Sequence, residues 1–403
     1  MDSKTSRSSE QRRVTKARNT PWPRYEEAVL GFRNYWYPAM LSKRLERKPV
    51  SVVILGERLL FIRHGGLCYA LEDRCAHRGV PLSVGTCEFP GTATISCRYH
   101  GWTYDITNGR CVGAVTDGPD SPIVGKVSIR SYPVEERKGL IWVFIGDGTP
   151  PRLEADVPEE FLDERAVMGV RVTLRKGNWR LAAENGLDPG HAAYLHRNSW
   201  LMFFRRFPAF KTDIVPEIQG PWVGYTQGPS VMECNYPGLG FWPGDVRHWW
   251  RKPRSRGPTK THLRLPGYLR VNPFPNPGIV HFEWYVPVDE SHHRYFQFSV
   301  RWTSGLLAWR FRLAYWLWWR WLAHVQFNGQ DAWMVQLMEP FYSEEGGWQR
   351  ERLFRPDVGL TAWRVHCHEN GREVQKGWTR VFGKDGARGP SPADDCSDSD
   401  AVT

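Results

Sequence analysis

Four residues in two short stretches are spaced to hold metal: Cys75 and His77 in CAHRG, and Cys97 and His100 in CRYHGW. Each stretch supplies one thiolate and one imidazole, and Arg78-Gly79 and Gly101-Trp102 follow them. Two cysteines and two histidines could bind one tetrahedral zinc, but a zinc finger usually presents its cysteines as one pair and its histidines as another. A binuclear iron–sulfur centre with cysteines on one iron and histidines on the other needs a different division. Two matching loops that each give one of each deliver it by symmetry. Imidazole in place of thiolate also takes negative charge off such a cluster and raises its reduction potential. Cys68, Cys87, Cys111, Cys234, Cys367 and Cys396 have no such partners and read as free thiols.

A second constellation lies in ENGLDPGHAAYLH, from Glu184 to His196. Asp188 followed by Pro189 reads as a helix N-cap and first helical residue, which fixes His191 and His196 in a short element. Asp331, in FNGQDAWM, is a carboxylate far downstream. Two imidazoles and a carboxylate on one face of an iron leave positions open for O2 and substrate. His191 and His196 are splayed by roughly 140° on an ideal helix at about 100° per residue. A π-bulge or an irregular turn is therefore expected between them.

The elements around these residues follow from pattern. Between Val50 and Cys111, short runs rich in Val, Ile, Tyr and Phe alternate with Gly, Asn and Asp, the signature of antiparallel strands. Asn108-Gly109 is a hairpin turn. LIWVFIGDG, from Leu140, reads as one more buried strand, and TPPRLEADVP after it as a boundary. Beyond it, NWRLAAENGLDPGHAAYLHRNS reads as helical in part, RLPGYLRVNPFPNPGIVHFEWYVPVDE and YFQFSVRWTS read as strands, and QDAWMVQLMEPF and the Trp-rich stretch from Gly305 to Gln326 read as helix. The 403 residues suit two domains: a small antiparallel β domain over 31–150 and a larger α+β domain over 151–385, with its sheet flanked by helices. Residues 1–30 read as a disordered basic arm and 386–403 as a disordered polar tail.

Charge and composition exclude some classes. The net charge of +11 owes much to the basic arm, so a nucleic-acid partner is not expected, whereas a basic face suits an acidic electron donor. Arg310, Arg312 and Arg320 interrupt the Trp-rich stretch, leaving it short of the roughly 20 apolar residues of a membrane span. That stretch is expected to be buried against the protein or a subunit. The N-terminus has no apolar signal region, so a cytoplasmic protein is expected.

Taken together, C-x-H, C-x-x-H and D-x-x-H-x-x-x-x-H with a distal Asp resemble the terminal oxygenase component of Rieske non-haem iron oxygenases. GFRNYWYPAM, NPFPNP, FEWYVPVDE, FNGQDAW and FYSEEGGW are similar to the angular carbazole dioxygenase group, whose histidines are spaced by three residues where four stand here. The resemblance implies a Rieske domain joined to a helix-grip catalytic domain in a homotrimer. It implies a [2Fe–2S] cluster on Cys75, His77, Cys97 and His100, and a mononuclear Fe(II) on His191, His196 and Asp331. Asp188 would bridge His191 to His100 of a neighbouring subunit, Asn185 and Asn328 would flank the open side of the iron, and the Gly186 carbonyl would face an aromatic N–H. Residues Trp200, Leu201, Met202, Phe203 and Phe204 are candidates for an apolar pocket wall. No nucleotide-binding fingerprint or plant-type ferredoxin spacing occurs, so a separate ferredoxin and an NAD(P)H-dependent reductase are implied. The expected reaction is oxygenation of a lipophilic aromatic or heteroaromatic molecule with O2 and two external electrons. A monooxygenase or oxidative cyclase of prodiginine type is the alternative, and an electron-transfer-only Rieske protein is a third reading.

Overall fold

The strand Val280–Pro287 is buried at every position, so both faces of its sheet are covered. Val280, Phe282, Trp284 and Val286 point one way, and His281, Glu283 and Tyr285 the other. The computed structural model describes residues 20–46, 48–203, 209–211, 214–226, 230–232, 260–376 and 399–402. Within them this strand belongs to an eight-stranded antiparallel sheet. The strand order is Val215–Gln219, Trp222–Thr226, Lys260–Arg264, Tyr268–Asn272, Val280–Pro287, His292–Trp302, Ala166–Lys176 and Ser399–Val402.

The outer face is aromatic core. Phe161 meets Phe282, Trp284 and Phe298 with ring centroids 4.9–5.4 Å apart, and Trp142 meets Trp284 at 5.8 Å. Trp142 comes from the strand Leu140–Ile145, which pairs with Tyr35–Leu41. Leu153 and Val157 are fully buried in the same core, so the expected boundary stretch is packed structure. The inner face meets helices. Arg171 and Arg175 donate to the carbonyls of His324 and Asn328 at 3.2 and 2.8 Å. A Cβ on Gly186 would stand 2.4 Å from Tyr285 Oη, so only glycine lets the helix Trp179–Leu187 approach that closely. This is the α+β, helix-grip arrangement.

The metal-spaced cysteines lie elsewhere, in loops carried by the sheets Val50–Ile54, Glu57–His64, Leu67–Glu72, Ser131–Tyr132 and Thr94–Ser96, Trp102–Asp105, Cys111–Ala114. They have their own small core, with Leu60, Leu71, Leu82, Ile95 and Tyr104 around Cys75 and Cys97.

Two expectations are corrected. The arm does not extend to residue 30. Pro23–Glu27 is helical, Tyr25 is fully buried with its hydroxyl on Glu184 at 2.8 Å, and Arg24 donates to the His368 carbonyl at 2.7 Å. The aromatic Trp22 and Tyr25 bury enough surface to order this short element. At the other end, Ser399–Val402 pairs with Gly169–Val172 and covers an otherwise open sheet edge, where a tail was expected. The Trp-rich stretch is helical, as Gly305–Ala314 (α) and Tyr315–Phe327 (π), but only one side is buried in the single chain. Phe311, Tyr315, Ala323 and His324 face inward, whereas Trp309, Trp316, Leu317 and Trp318 are exposed. Among the described residues no helix is long and apolar enough to cross a membrane. Cys234, Phe204, Cys396 and residues 377–385 lie outside the described residues, as do the side chains of Met202 and Phe203.

Candidate metal centres

The two cysteine loops repeat one backbone pattern. Cys75 N–H donates to the Val80 carbonyl and Cys97 N–H to the Trp102 carbonyl, both at 2.8 Å. Gly79 and Gly101 each return an N–H to their cysteine's carbonyl at 2.9 Å. Both glycines take positive φ (74° and 66°), which closes each loop where a side chain would strain it. The sulfurs are buried, while His77 is exposed and His100 half-buried. The two Nδ1 atoms face each other at 3.1 Å. Trp102 stacks on the His77 ring, with centroids 4.8 Å apart. Burial pushes the Cys97 thiol up, and the neighbouring Cys75 adds to this, so a thiolate at Cys97 is favoured only beside a cation. This donor set, with two inner sulfurs and two outer imidazole nitrogens, fits a Rieske cluster.

Tyr104 was not anticipated. Its hydroxyl lies 3.3 Å from Cys75 Sγ and accepts the Ala76 N–H at 3.1 Å, so its own proton is free for a sulfur acceptor. Only its place in the strand after the second loop hinted at this.

The second centre gathers His191, His196 and Asp331, whose ligand atoms all lie within 4.8 Å of one another. Asp188 Oδ1 accepts the Gly190 N–H at 2.6 Å and so caps the helix Pro189–Tyr194 that carries His191. The α-helix then gives way to a 3-10 turn, Leu195–Asn198, which carries His196. The chain breaks here by an irregular turn and not by a π-bulge. The π-helix lies instead at Tyr315–Phe327, immediately before the helix Asn328–Ser343 that presents Asp331 in its first turn. Glu184 anchors the preceding helix through a buried ion pair with Arg364 at 2.7 Å.

Hydrogen bonds set the tautomers. His191 Nδ1–H donates to the Asp188 carbonyl and His196 Nδ1–H to Gln330 Oε1, both at 2.8 Å. Each Nε2 is then a bare lone pair aimed at Asp331 Oδ1, at 3.4 and 3.1 Å. His196 Nε2 is buried without a hydrogen-bond partner. Lone pairs crowded on a carboxylate repel unless a cation or a proton separates them. Burial works against the Asp331 charge, but His196 and His191 outweigh it and hold the carboxyl far below its usual range. Burial likewise opposes a charge on His191, and Asp331 overrides it, raising that imidazole. The donor set of two imidazoles and a carboxylate fits Fe(II).

Asn185 Nδ2 donates to Asp331 Oδ1 at 3.0 Å, which places it at the centre. Asn328 is held differently: its amide donates to Glu283 at 2.5 Å and to Tyr295 at 2.6 Å, in a buried network on the sheet. The Asp188 carboxylate is 3.8 Å from His191 Nδ1, so within one chain the backbone carbonyl, not the carboxylate, holds that ring. Of the expected pocket wall, Leu201 is buried beside Phe274, Ala323 and Phe327, whereas Trp200 is exposed. Sequence reasoning missed Phe327, which stacks on His196 at 3.6 Å, and Gln330, although both adjoin Asp331 in FNGQD.

A Rieske-type cluster domain joined to a helix-grip sheet with a two-histidine, one-carboxylate site defines a class: terminal components of Rieske non-haem iron oxygenases. The comparisons agree. Residues 35–133 match the Rieske [2Fe-2S] domain, and residues 144–210 and 230–375 match the homotrimeric ring hydroxylase family. The chain belongs to this ring-hydroxylating oxygenase family. It is 37% identical to the carbazole 1,9a-dioxygenase terminal oxygenase of a Sphingomonas species, covering 90% of this chain and 98% of that one. The corresponding protein of Metapseudomonas resinovorans is 35% identical, over 88% and 94%. The solved terminal oxygenase of carbazole 1,9a-dioxygenase from Nocardioides aromaticivorans IC177 superposes with a TM-score of 0.74 at 36% identity, over 88% and 99%. A reduced oxygenase–ferredoxin complex of carbazole 1,9a-dioxygenase matches with a TM-score of 0.77 at 33% identity, over 92% and 97%.

Proposed function

We propose that this chain is the terminal oxygenase of a multicomponent system that oxygenates a lipophilic, fused aromatic or heteroaromatic molecule of carbazole type. The observation that carries this reading is the convergence of two Nε2 lone pairs and the Asp331 carboxylate on one point. Cys75, Cys97, His77 and His100 would hold the cluster, and His191, His196 and Asp331 the mononuclear iron. When bound, the iron would supply O2 activation and the cluster would supply electrons for it.

The chain's own residues do the rest. Asp188 fixes the tautomer of His191 through its carbonyl. Its carboxylate would accept the free ring N–H of His100 from a neighbouring subunit, which makes the homotrimer the working unit. Asn185 orients Asp331. Leu201, Phe274 and Phe327 would bind the apolar rings and exclude water, and the Gly186 carbonyl would accept a heteroaromatic N–H. The ferredoxin complex of the carbazole relative and this chain's basic balance support an acidic ferredoxin donor, reduced in turn by an NAD(P)H-dependent reductase. A cytoplasmic location suits those partners.

The test is reconstitution with ferredoxin, reductase and carbazole under 18O2. Incorporation of both oxygen atoms supports the dioxygenase reading, and one or none would assign a monooxygenase or oxidative cyclase. Fully loaded protein that consumes no O2 with any fused aromatic would overturn the oxygenase reading.

A further inference from the structure

The helices Gly305–Ala314 and Tyr315–Phe327 follow one another without a break and have two unlike sides. At about 100° per residue, Leu306, Trp309 and Leu313 fall within roughly 60° of one another, with Ala308 and Phe311 on the opposite side. The second side packs: Ala308 and Phe311 are buried with Val167 and Ile279. The first is exposed, and the π segment extends it with Trp316, Leu317, Trp318 and Trp321, exposed as well. Trp200 adds an exposed ring 6.3 Å from that of Trp321. A contiguous apolar face of this kind marks an interaction site.

Its charges point to the kind of partner. Arg310 and Arg312 are exposed on either flank of the Leu306–Trp309–Leu313 stripe. The Arg320 guanidinium stacks over Trp316 at 5.7 Å. No Asp or Glu stands between Gly305 and Phe327. Glu136 and Glu164 share the hollow beside Arg312, together with Arg137 and Lys138. A cationic helix with Trp and Leu on its open side and arginines along the edges is built to lie in the plane of a membrane surface. Indole rings settle at the headgroup level, long arginine stems let the charge reach the phosphates, and anionic lipids attract it.

A second copy of this chain suits the face less. Two such faces set together would bring arginine against arginine with no acid between them. The helices also run along the strand Ala166–Lys176: Phe311 packs beside Val167 and Tyr315 against Gly169, while Arg171 and Arg175 reach the carbonyls of His324 and Asn328. From Val167 to Arg175 is roughly 26 Å at about 3.3 Å per residue. The proposed subunit contact through Asp188 lies at the iron-site end, whereas Leu306 to Leu313 project from the other.

We infer that the Trp-rich face of Gly305–Phe327 docks the enzyme on an anionic lipid surface, lying on the bilayer and not crossing it. The buried side of the same helices carries Ala323 and Phe327, which sit with Leu201 and Phe274 beside the iron-site His196. Docking would bring that apolar cluster to within one helix diameter of the lipid, where a lipophilic substrate collects. This consequence rests on the oxygenase reading, and the docking itself does not.

The test is flotation of the full-length, metal-loaded trimer with vesicles of equal parts phosphatidylcholine and phosphatidylglycerol, beside pure phosphatidylcholine vesicles. Wild type should float with the anionic vesicles, less so as salt rises. Trp309→Ser, Leu317→Ser and Trp318→Ser combined should weaken this at least ~tenfold. Arg310→Gln with Arg312→Gln should weaken it about fivefold per arginine, on the anionic vesicles alone. Cluster absorbance, iron content and sedimentation as a trimer should not change in either variant. The basic segment 4–18 is intact in both, so equal flotation of wild type and the Ser variant would assign the binding to that segment and overturn the inference. Wild type that stays in solution overturns it too. A Ser variant that no longer forms the trimer, or whose cluster the ferredoxin no longer reduces, would give the face to a protein partner with the same result. Flotation needs no turnover, so its outcome is separate from that of the 18O2 experiment.

Discussion

The candidate cluster loops and the candidate mononuclear centre would draw their ligands from very different lengths of chain. Cys75, His77, Cys97 and His100 come from two neighbouring loops with the same backbone hydrogen bonds, and each loop is complete in itself. The mononuclear site joins residues far apart, such as Asn185 and Asp331 at a separation of 146, and depends on packing between two helices. Exposure differs as well. The cluster's imidazoles reach the surface, whereas the His196 side chain has no exposed area. The difference teaches a division of labour. A centre that exchanges electrons with other proteins keeps a histidine outside, and one that handles O2 holds one of its histidines entirely out of reach of water.

This contrast can be broken experimentally. Asp331→Ala should abolish the mononuclear iron and turnover while the cluster spectrum stays unchanged; loss of both metals together would show that the centres are not independent. Asp188→Asn should keep both metals yet lower turnover by at least ~100-fold, the scale of losing a well-oriented acid–base or hydrogen-bonding group. Full activity there would remove the proposed link between subunits. Gln330→Leu takes away the acceptor that sets the His196 tautomer and should weaken iron affinity about 10- to 100-fold with the fold intact. Iron titration against a chelator checks it. The smallest effect should come from Tyr104→Phe. Losing a hydrogen bond to Cys75 Sγ should lower the cluster potential, seen by redox titration, and slow turnover a few-fold. An unchanged potential would mean that the tyrosine only packs.

How much was legible follows from the same contrast. The loops could be read because their spacing and glycines are local. The helix start at Asp188-Pro189 was readable for that reason too, and the capping bond appears as expected. The partners of Asn328 were not legible because nothing near it in sequence reveals Glu283 and Tyr295, which reach it from two strands. The polar row of His281, Glu283 and Tyr285 was hidden in VHFEWYVP, since alternation gives two faces without saying what covers each. The length of the arm was misjudged because charge dominated a window in which Trp22 and Tyr25 pack.

By itself, the sequence determined which atoms can bind metal and the local turns that present them, because spacing, caps and positive-φ glycines act within a few residues. Tertiary structure alone decided which metal-site atoms face one another, which ring stacks on His196, and that Glu283 gathers His281, Tyr285 and Asn328 on the inner face of the sheet. Those outcomes depend on strands and helices meeting across the whole chain, where burial and the sum of many contacts override any local preference.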